Sequence, residues 1–125
     1  MRVLLDTHIL LWLVDGNARL TLEAKRLINE AERVYVSAAS IWEISIKVRL
    51  GKLRADLDEL IDEMQLNGFE ELPVSARHAK EVAKLPLHHR DPFDRLFVAQ
   101  AKTELLHLVT NDARLAPYSD LVIRV

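Results

Sequence analysis

Cysteine is absent from the 125 residues. Its absence excludes a disulfide scaffold and any thiolate metal site, and it fits a reducing cytoplasm, the expected location. Glycine and proline are scarce, at three and four residues. No Pro/Gly/Ser tract divides the chain, so residues 1–125 read as one domain, long enough to bury a core. No apolar stretch reaches transmembrane length. The start, Met1-Arg2 and then a strand-like run, lacks the apolar region and cleavage site of a secretory leader, so no membrane association is expected. Nor is positive charge in excess: 17 Lys and Arg stand against 19 Asp and Glu, a net charge of −2. General polyanion binders are usually basic. A protein of this balance that handled nucleic acid would need a local patch or a metal. Half of the residues are apolar, which argues against disorder.

What is present is organised around Val3–Trp12, VLLDTHILLW. Val3-Leu4-Leu5 reads as a buried strand, and a second apolar run begins at Ile9. Asp6 stands at the junction. An ionised carboxylate at the edge of a core costs several kcal/mol unless something pairs with it. Asp6 is therefore a cap or turn residue, or a ligand for a cation.

Along the chain, β-prone runs alternate with helical patterns. Arg2–Asp6 is the first expected strand. Thr7 is placed to cap a helix from about His8 to Val14, which Asp15-Gly16-Asn17 stops. Thr21 opens the next helix, and Val34-Tyr35-Val36 is a second strand. Ser37–Leu50 is ambiguous. Ile44, Ile46, Val48 and Leu50 alternate with polar residues as in a strand, whereas Ser40-Ile41-Trp42-Glu43 is a capping-box pattern and Gly51 suits a helix end. Asp56 opens a helix carrying Leu57, Leu60, Ile61 and Met64. Phe69–Val74 reads as an edge strand, and Ser75 caps a helix through about Leu85. Pro86–Arg90 is a loop. Asp91-Pro92 starts a helix with proline at its first position, Leu106–Thr110 is a strand, Asn111–Pro117 a turn with a helical piece, and Leu121–Val125 a last strand. The alternation predicts an α/β sandwich, a mostly parallel central sheet flanked by helices. Sites in such sheets form beyond the carboxyl ends of the strands.

Four acids adjoin apolar structure: Asp6, Glu43, Asp94 and Asp112. Asp6 and Asp112 follow strands, while Glu43 and Asp94 are expected in the first turns of helices. Each has a plain structural account in a turn, a capping box or a favourable place at a helix start. Together, two strand ends and two helix starts can converge at one sheet edge. Hard oxygen donors suit Mg²⁺ or Mn²⁺. Facing carboxylates repel, so without a cation some would hold protons.

The segments LLDTHILLW, SAASIWEISIKVRLGKL, HHRDPFDRLFVAQA and LVTNDARL resemble, in order and spacing, the PIN-domain ribonucleases, and among them the VapC-type toxins of prokaryotic toxin–antitoxin pairs. The resemblance runs from Leu4 to about Tyr118. It implies a PIN-like three-layer sandwich and a helical Ser37–Leu50. It also implies divalent-metal-dependent cleavage of RNA, homodimers, and inhibition by a cognate antitoxin. The family's acidic quartet carries over to Asp6, Glu43, Asp94 and Asp112. Asp6, Asp94 and Asp112 are then the direct ligands of Mg²⁺ or Mn²⁺, and Glu43 a ligand or the residue that orients attacking water.

Thr7, Thr110 and Asn111 are candidates to hold carboxylates or water, with capping and turn formation the plainer account of each. Asp91 reads as a helix cap. Arg95, next to Asp94, is a candidate for substrate phosphate or a salt-bridge partner of the acids. Lys47, Arg49, Lys52 and Arg54 read as a solvated face. His88-His89 reads as a surface pair, because adjacent side chains diverge. Trp12 and Trp42 read as core or dimer contacts.

Two other readings are open. A phosphotransfer or receiver-like domain also sets acids at parallel strand ends, but His8 stands where a second Asp would be needed and Leu106–Asp112 supplies no Lys. A catalytically degenerate PIN-fold binding module is disfavoured by the complete quartet.

Overall fold

The structure is a computed structural model that describes residues 1–125. Its strands are β1 (Arg2–Leu5), β2 (Arg33–Ser37), β3 (Glu70–Leu72), β4 (His107–Thr110) and β5 (Val122–Arg124). They form one sheet in the order β3-β2-β1-β4-β5, and every neighbouring pair is parallel. The helices are α1 (Thr7–Asp15), α2 (Leu22–Glu30), α3 (Ala38–Arg49), α4 (Leu57–Leu66), α5 (Ala76–Val82) and α6 (Pro92–Glu104), with a 3-10 segment over Ala113–Tyr118. The expected three-layer α/β sandwich is borne out. No helix is long and apolar enough to cross a membrane.

The pleat sorts the core. Successive side chains of a strand point to opposite faces, so Val3 and Leu5 join Ile9, Leu10, Val34, Val36, Ile44 and Met64 on one face. Leu4 joins Phe97, Val98, Leu106, Leu108 and Leu115 on the other. Both faces of β1 are covered, which is why its sequence is an unbroken apolar run.

Local chemistry sets the helix ends. Ser37 caps α3, its hydroxyl accepting from the Ala39 amide at 3.1 Å. Ser40 therefore lies inside the helix rather than at its cap. Gly16, at φ 63°, ends α1 in the left-handed conformation that glycine adopts without a Cβ penalty. At the end of α6 the same conformation falls on Leu105, at φ 56°, with its side chain 70 % exposed. No glycine signals that stop in the sequence. Leu105→Gly is expected to raise stability by about 0.5–1 kcal/mol, since it relieves a strained backbone while losing little burial. Chemical denaturation would check this, and a loss of stability would refute it.

Candidate metal and acid cleft

The register of the sheet places the first acid. Leu5 pairs with Val109, so Asp6 and Thr110 emerge side by side at the carboxyl edge. The Asp6 amide donates to the Val109 carbonyl at 3.1 Å. Asp6 is almost wholly buried. Its Oδ1 accepts from the Ile9 amide at 2.9 Å, and its Oδ2 accepts from the Thr110 hydroxyl. Asp6, not Thr7, is thus the cap of α1. The carboxylate has the shorter reach to the free amides, and Thr7 becomes the first helical residue. Burial pushes the Asp6 carboxyl above its ordinary range, against the pull of its hydrogen bonds to Thr110 and Ile9.

Thr7 turns its hydroxyl across to α3 instead. It donates to Glu43 Oε1 at 2.6 Å and lies 3.2 Å from the Ser40 hydroxyl. Lys47, one helical turn beyond Glu43, donates to Oε2 at 2.9 Å. Both oxygens of this buried carboxylate are therefore engaged. Because α3 begins at Ala38, Glu43 lies past the first turn, not in it as the sequence suggested. The capping-box spacing from Ser40 misplaced the helix start.

Asp94 stands in the first turn of α6. Asp91 caps that helix, accepting from the Phe93 and Asp94 amides at 2.8 and 3.1 Å. Burial first, then the negative charges of Asp91, Asp6, Glu43 and Asp112, raise the Asp94 carboxyl to about 7. Asp112 follows β4 and behaves in the opposite way. Hydrogen bonds from the Arg114 side chain, at 3.0 Å from Nε and 2.8 Å from the terminal guanidinium nitrogen, hold it well below the usual carboxylate range. Its amide donates to the Thr110 hydroxyl at 3.0 Å, so Thr110 braces both strand-end acids.

The four acids line one cleft of about 460 Å³, with Lys47, Arg19 and Arg114 among its other walls. A larger cavity of about 850 Å³ lies at the amino-terminal ends of β2 and β3, lined by Arg33, Glu70 and Phe69 among others. None of the four acids borders it.

Several sequence expectations fall differently in three dimensions. Thr7 and Thr110 hold carboxylates. Asn111 borders the cleft, but its amide donates to the Val125 carbonyl at 2.8 Å and pins β5 rather than holding a carboxylate. Arg95 does not face the acids. One guanidinium nitrogen donates to the Pro86 carbonyl at 2.9 Å and the Tyr118 hydroxyl at 3.0 Å, and the other to the Val82 and Leu85 carbonyls at 3.3 Å. These bonds tie down the loop before α6, so the side chain is spent on structure rather than left for phosphate. Arg49, Lys52 and Arg54 are exposed. Trp42 is 61 % exposed and packs edge-on against Phe93, so it is not a core residue.

His89 is the residue that the sequence misplaced most. His88 is exposed as expected, but His89 is buried. Its Nε2 lies 3.0 Å from Asp112 Oδ2 and 3.2 Å from Asp94 Oδ2. Adjacent side chains do diverge, and here the divergence sends one of them into the cleft. The Tyr118 hydroxyl fixes this by accepting from the His88 and His89 amides at 3.0 and 2.9 Å. Tyr118→Phe is expected to cost about 1–3 kcal/mol, because it strands two amides without an acceptor. Thermal melting of the metal-free protein would check this, and an unchanged melting temperature would refute it.

A parallel α/β sandwich with carboxylates gathered beyond the ends of its central strands defines a class of acid-edge α/β domains. The family model described as PIN domain matches residues 3–121, and the chain belongs to the PIN-domain family. Among solved structures, a chain of "Crystal structure of VapBC2 from Rickettsia felis bound to a DNA fragment from their promoter" is similar over 100% of this chain and 98% of its own. The identity is 18% and the TM-score 0.73. FitAcB from Neisseria gonorrhoeae is similar over 100% and 97%, at 21% identity and a TM-score of 0.69. A toxin-antitoxin complex from Klebsiella pneumoniae is similar over 97% and 95%, at 21% identity and a TM-score of 0.68. No curated protein matches.

Proposed function

We propose that the protein is a divalent-metal-dependent endoribonuclease acting as the toxin of a toxin–antitoxin pair. The observation that carries the reading is the convergence of Asp6, Glu43, Asp94 and Asp112 on one cleft, with Asp94 so crowded by burial and negative charge that its carboxyl rises to about 7. Such an arrangement is costly without a cation and favourable with one. The all-oxygen donors fit Mg²⁺ or Mn²⁺.

Asp6, Asp94 and Asp112 are the proposed ligands. When bound, the ion supplies Lewis acidity at the phosphodiester and a source of nucleophilic water. Glu43, with Thr7 on one oxygen and Lys47 on the other, is held in one orientation and is assigned the alignment of the attacking water. Arg19, an exposed cation on the cleft wall, is assigned to the RNA backbone in place of Arg95, while Lys47 and Arg114 are engaged by Glu43 and Asp112. The toxin-antitoxin complexes among the structural neighbours support a cognate antitoxin as partner. The exposed Trp42 and Leu50 are compatible with a homodimer.

The test is cleavage of a mixed panel of structured and single-stranded RNAs by antitoxin-free protein, with Mg²⁺, with Mn²⁺ and with chelator, beside Asp6→Asn. Metal-dependent cutting lost in the variant is the expected result. Equal cutting by the variant, or cutting that survives chelation, would overturn the reading. If nothing is cut, calorimetric Mn²⁺ titration decides whether the cleft holds metal at all.

A further inference from the structure

His89 has no task in the reading above, yet its ring is fixed at both ends. The Asp91 amide donates to Nδ1 at 3.1 Å, so Nδ1 presents a lone pair and the neutral ring carries its proton on Nε2. That proton is directed at Asp112 Oδ2, 3.0 Å away, and Asp94 Oδ2 lies 3.2 Å from the same nitrogen. The loop behind the ring is clamped. Tyr118 accepts from two of its amides, and Arg95 donates to the Pro86 carbonyl.

Nε2 and one oxygen from each of Asp94 and Asp112 lie within 4.8 Å of one another. A His–Asp–Asp metal site would have that spacing, so two roles compete for His89. The tautomer separates them. A ligating Nε2 must offer its lone pair, which would move the proton to Nδ1. There it would face the Asp91 N–H across the same 3.1 Å, two donors pointing at each other. The Asp91 amide is also the start of a capped helix, so retreat would disturb α6.

We infer that His89 is a positioning residue and not a metal ligand: its Nε2–H donates to Asp112 with Asp94 close beside it, and it holds the two carboxylates together, ready for a divalent cation. The inference rests on the metal-binding part of the function proposed above. A donor in this place offsets the mutual repulsion of two acids that the fold brings together. It also explains why a buried histidine stands in a loop that is otherwise exposed. Partners of this kind orient ligating groups, and their loss commonly weakens metal binding 10–100-fold.

Two measurements on the full chain test this. The first is a two-bond ¹H–¹⁵N correlation of the imidazole in wild type, without and with Mg²⁺, which reads the tautomer with no variant. The expected result is Nε2–H in both states. The Nδ1–H tautomer, or a nitrogen shift on Mg²⁺ addition that signals direct bonding to the ion, would overturn the inference. The second is Mn²⁺ calorimetry on His89→Ala and His89→Gln. The glutamine amide can place an N–H donor near the Nε2 position. Alanine is expected to weaken Mn²⁺ binding about 10–100-fold, and glutamine to recover most of that loss. Alanine binding like wild type, or glutamine as weak as alanine, would overturn the inference. If wild type binds Mn²⁺ and shows Nε2–H but cuts no RNA, the nuclease reading fails and the role of His89 stands. If wild type cuts RNA with metal and the alanine variant binds Mn²⁺ normally, only the inference about His89 fails. A wild type that binds no Mn²⁺ overturns both.

Discussion

Asp94→Asn is expected to lower RNA cleavage by about a thousandfold or more while making the metal-free protein more stable at pH 7.5. The two effects share one cause. A carboxylate proposed as a metal ligand is a charge that the metal-free protein holds at a cost. Asp94 is partly buried and crowded by Asp91, Asp6, Glu43 and Asp112, and its carboxyl is raised to about 7. At pH 7.5 most of the population is ionised and carries that cost. Asparagine keeps the shape and an oxygen beside His89 Nε2, and it removes the charge. Against this gain stands the loss of a negative side chain in the first turn of α6, worth about 0.3–1 kcal/mol. After discounting for solvent screening at a partly exposed group, the net gain should be about 1 kcal/mol, or roughly 4 °C in melting temperature. A variant that is inactive and clearly less stable than wild type would show Asp94 to be a structural helix-start residue. A variant that is active would remove it from the proposed ligand set.

The four acids were legible in the sequence because each adjoins an apolar run, and the register of β1 against β4 then brings Asp6 next to Thr110. The central strands were legible because cover on both faces leaves short apolar runs at Val3–Leu5, Val34–Val36 and Leu108–Val109. What escaped reading depended on contacts between distant segments. The alternation of Ile44, Ile46 and Val48 looks like a strand, Ser40–Glu43 and Gly51 suit a helix, and resemblance to the PIN family decided for α3. That helix packs Ile44 into one core layer while Ile41 and Val48 pack against the same layer partly exposed, so its apolar arc is too wide for a clean helical period. Thr7 looked like a cap because threonine caps helices. The competing carboxylate one residue earlier takes the amide, freeing Thr7 for Glu43, 36 positions away in sequence. Arg95 looked like a phosphate ligand by its nearness to Asp94 in sequence. Adjacent positions on a helix diverge by about 100°, and that angle turns its side chain to the carbonyls of the loop. His89 is the largest miss. The signal that could have found it is the run HHRDPFD itself, in which a proline-started helix with an aspartate cap fixes the backbone immediately after the histidine.

Raising the pH from about 4 to 7 is expected to lower the melting temperature of the metal-free protein, and saturating Mg²⁺ is expected to remove most of that slope. The sign follows from proton linkage. With a folded value near 7 against an ordinary 3.8, Asp94 keeps a proton in the folded protein that the unfolded chain has already released. The folded state therefore binds more protons in this window, and stability falls as pH rises through it. Asp6, raised by burial, adds in the same direction. Asp112 acts oppositely and elsewhere. Held low mainly by its hydrogen bond from Arg114, it contributes stability above the ordinary carboxylate range and loses it as pH falls further. The partner of Asp112, Arg114, is mostly exposed, so this ion pair is screened and its contribution is small. Metal-free stability should accordingly peak near pH 4–5. From there to pH 7 it should fall by about 1–2 kcal/mol, or roughly 4–8 °C, a screened figure for a partly exposed group. On the proposed reading Mg²⁺ takes the ionised carboxylates and competes with their protons. At a hundredfold excess over its dissociation constant it adds about 2.7 kcal/mol where the acids are charged, and much less at pH 4, where protons occupy them. The gap between the two melting curves must therefore widen with pH and level off above 7. Parallel curves would show that the ion binds elsewhere on the molecule, and the same experiment on Asp94→Asn, whose metal-free slope should be the shallower, would show how much of the window belongs to that one residue.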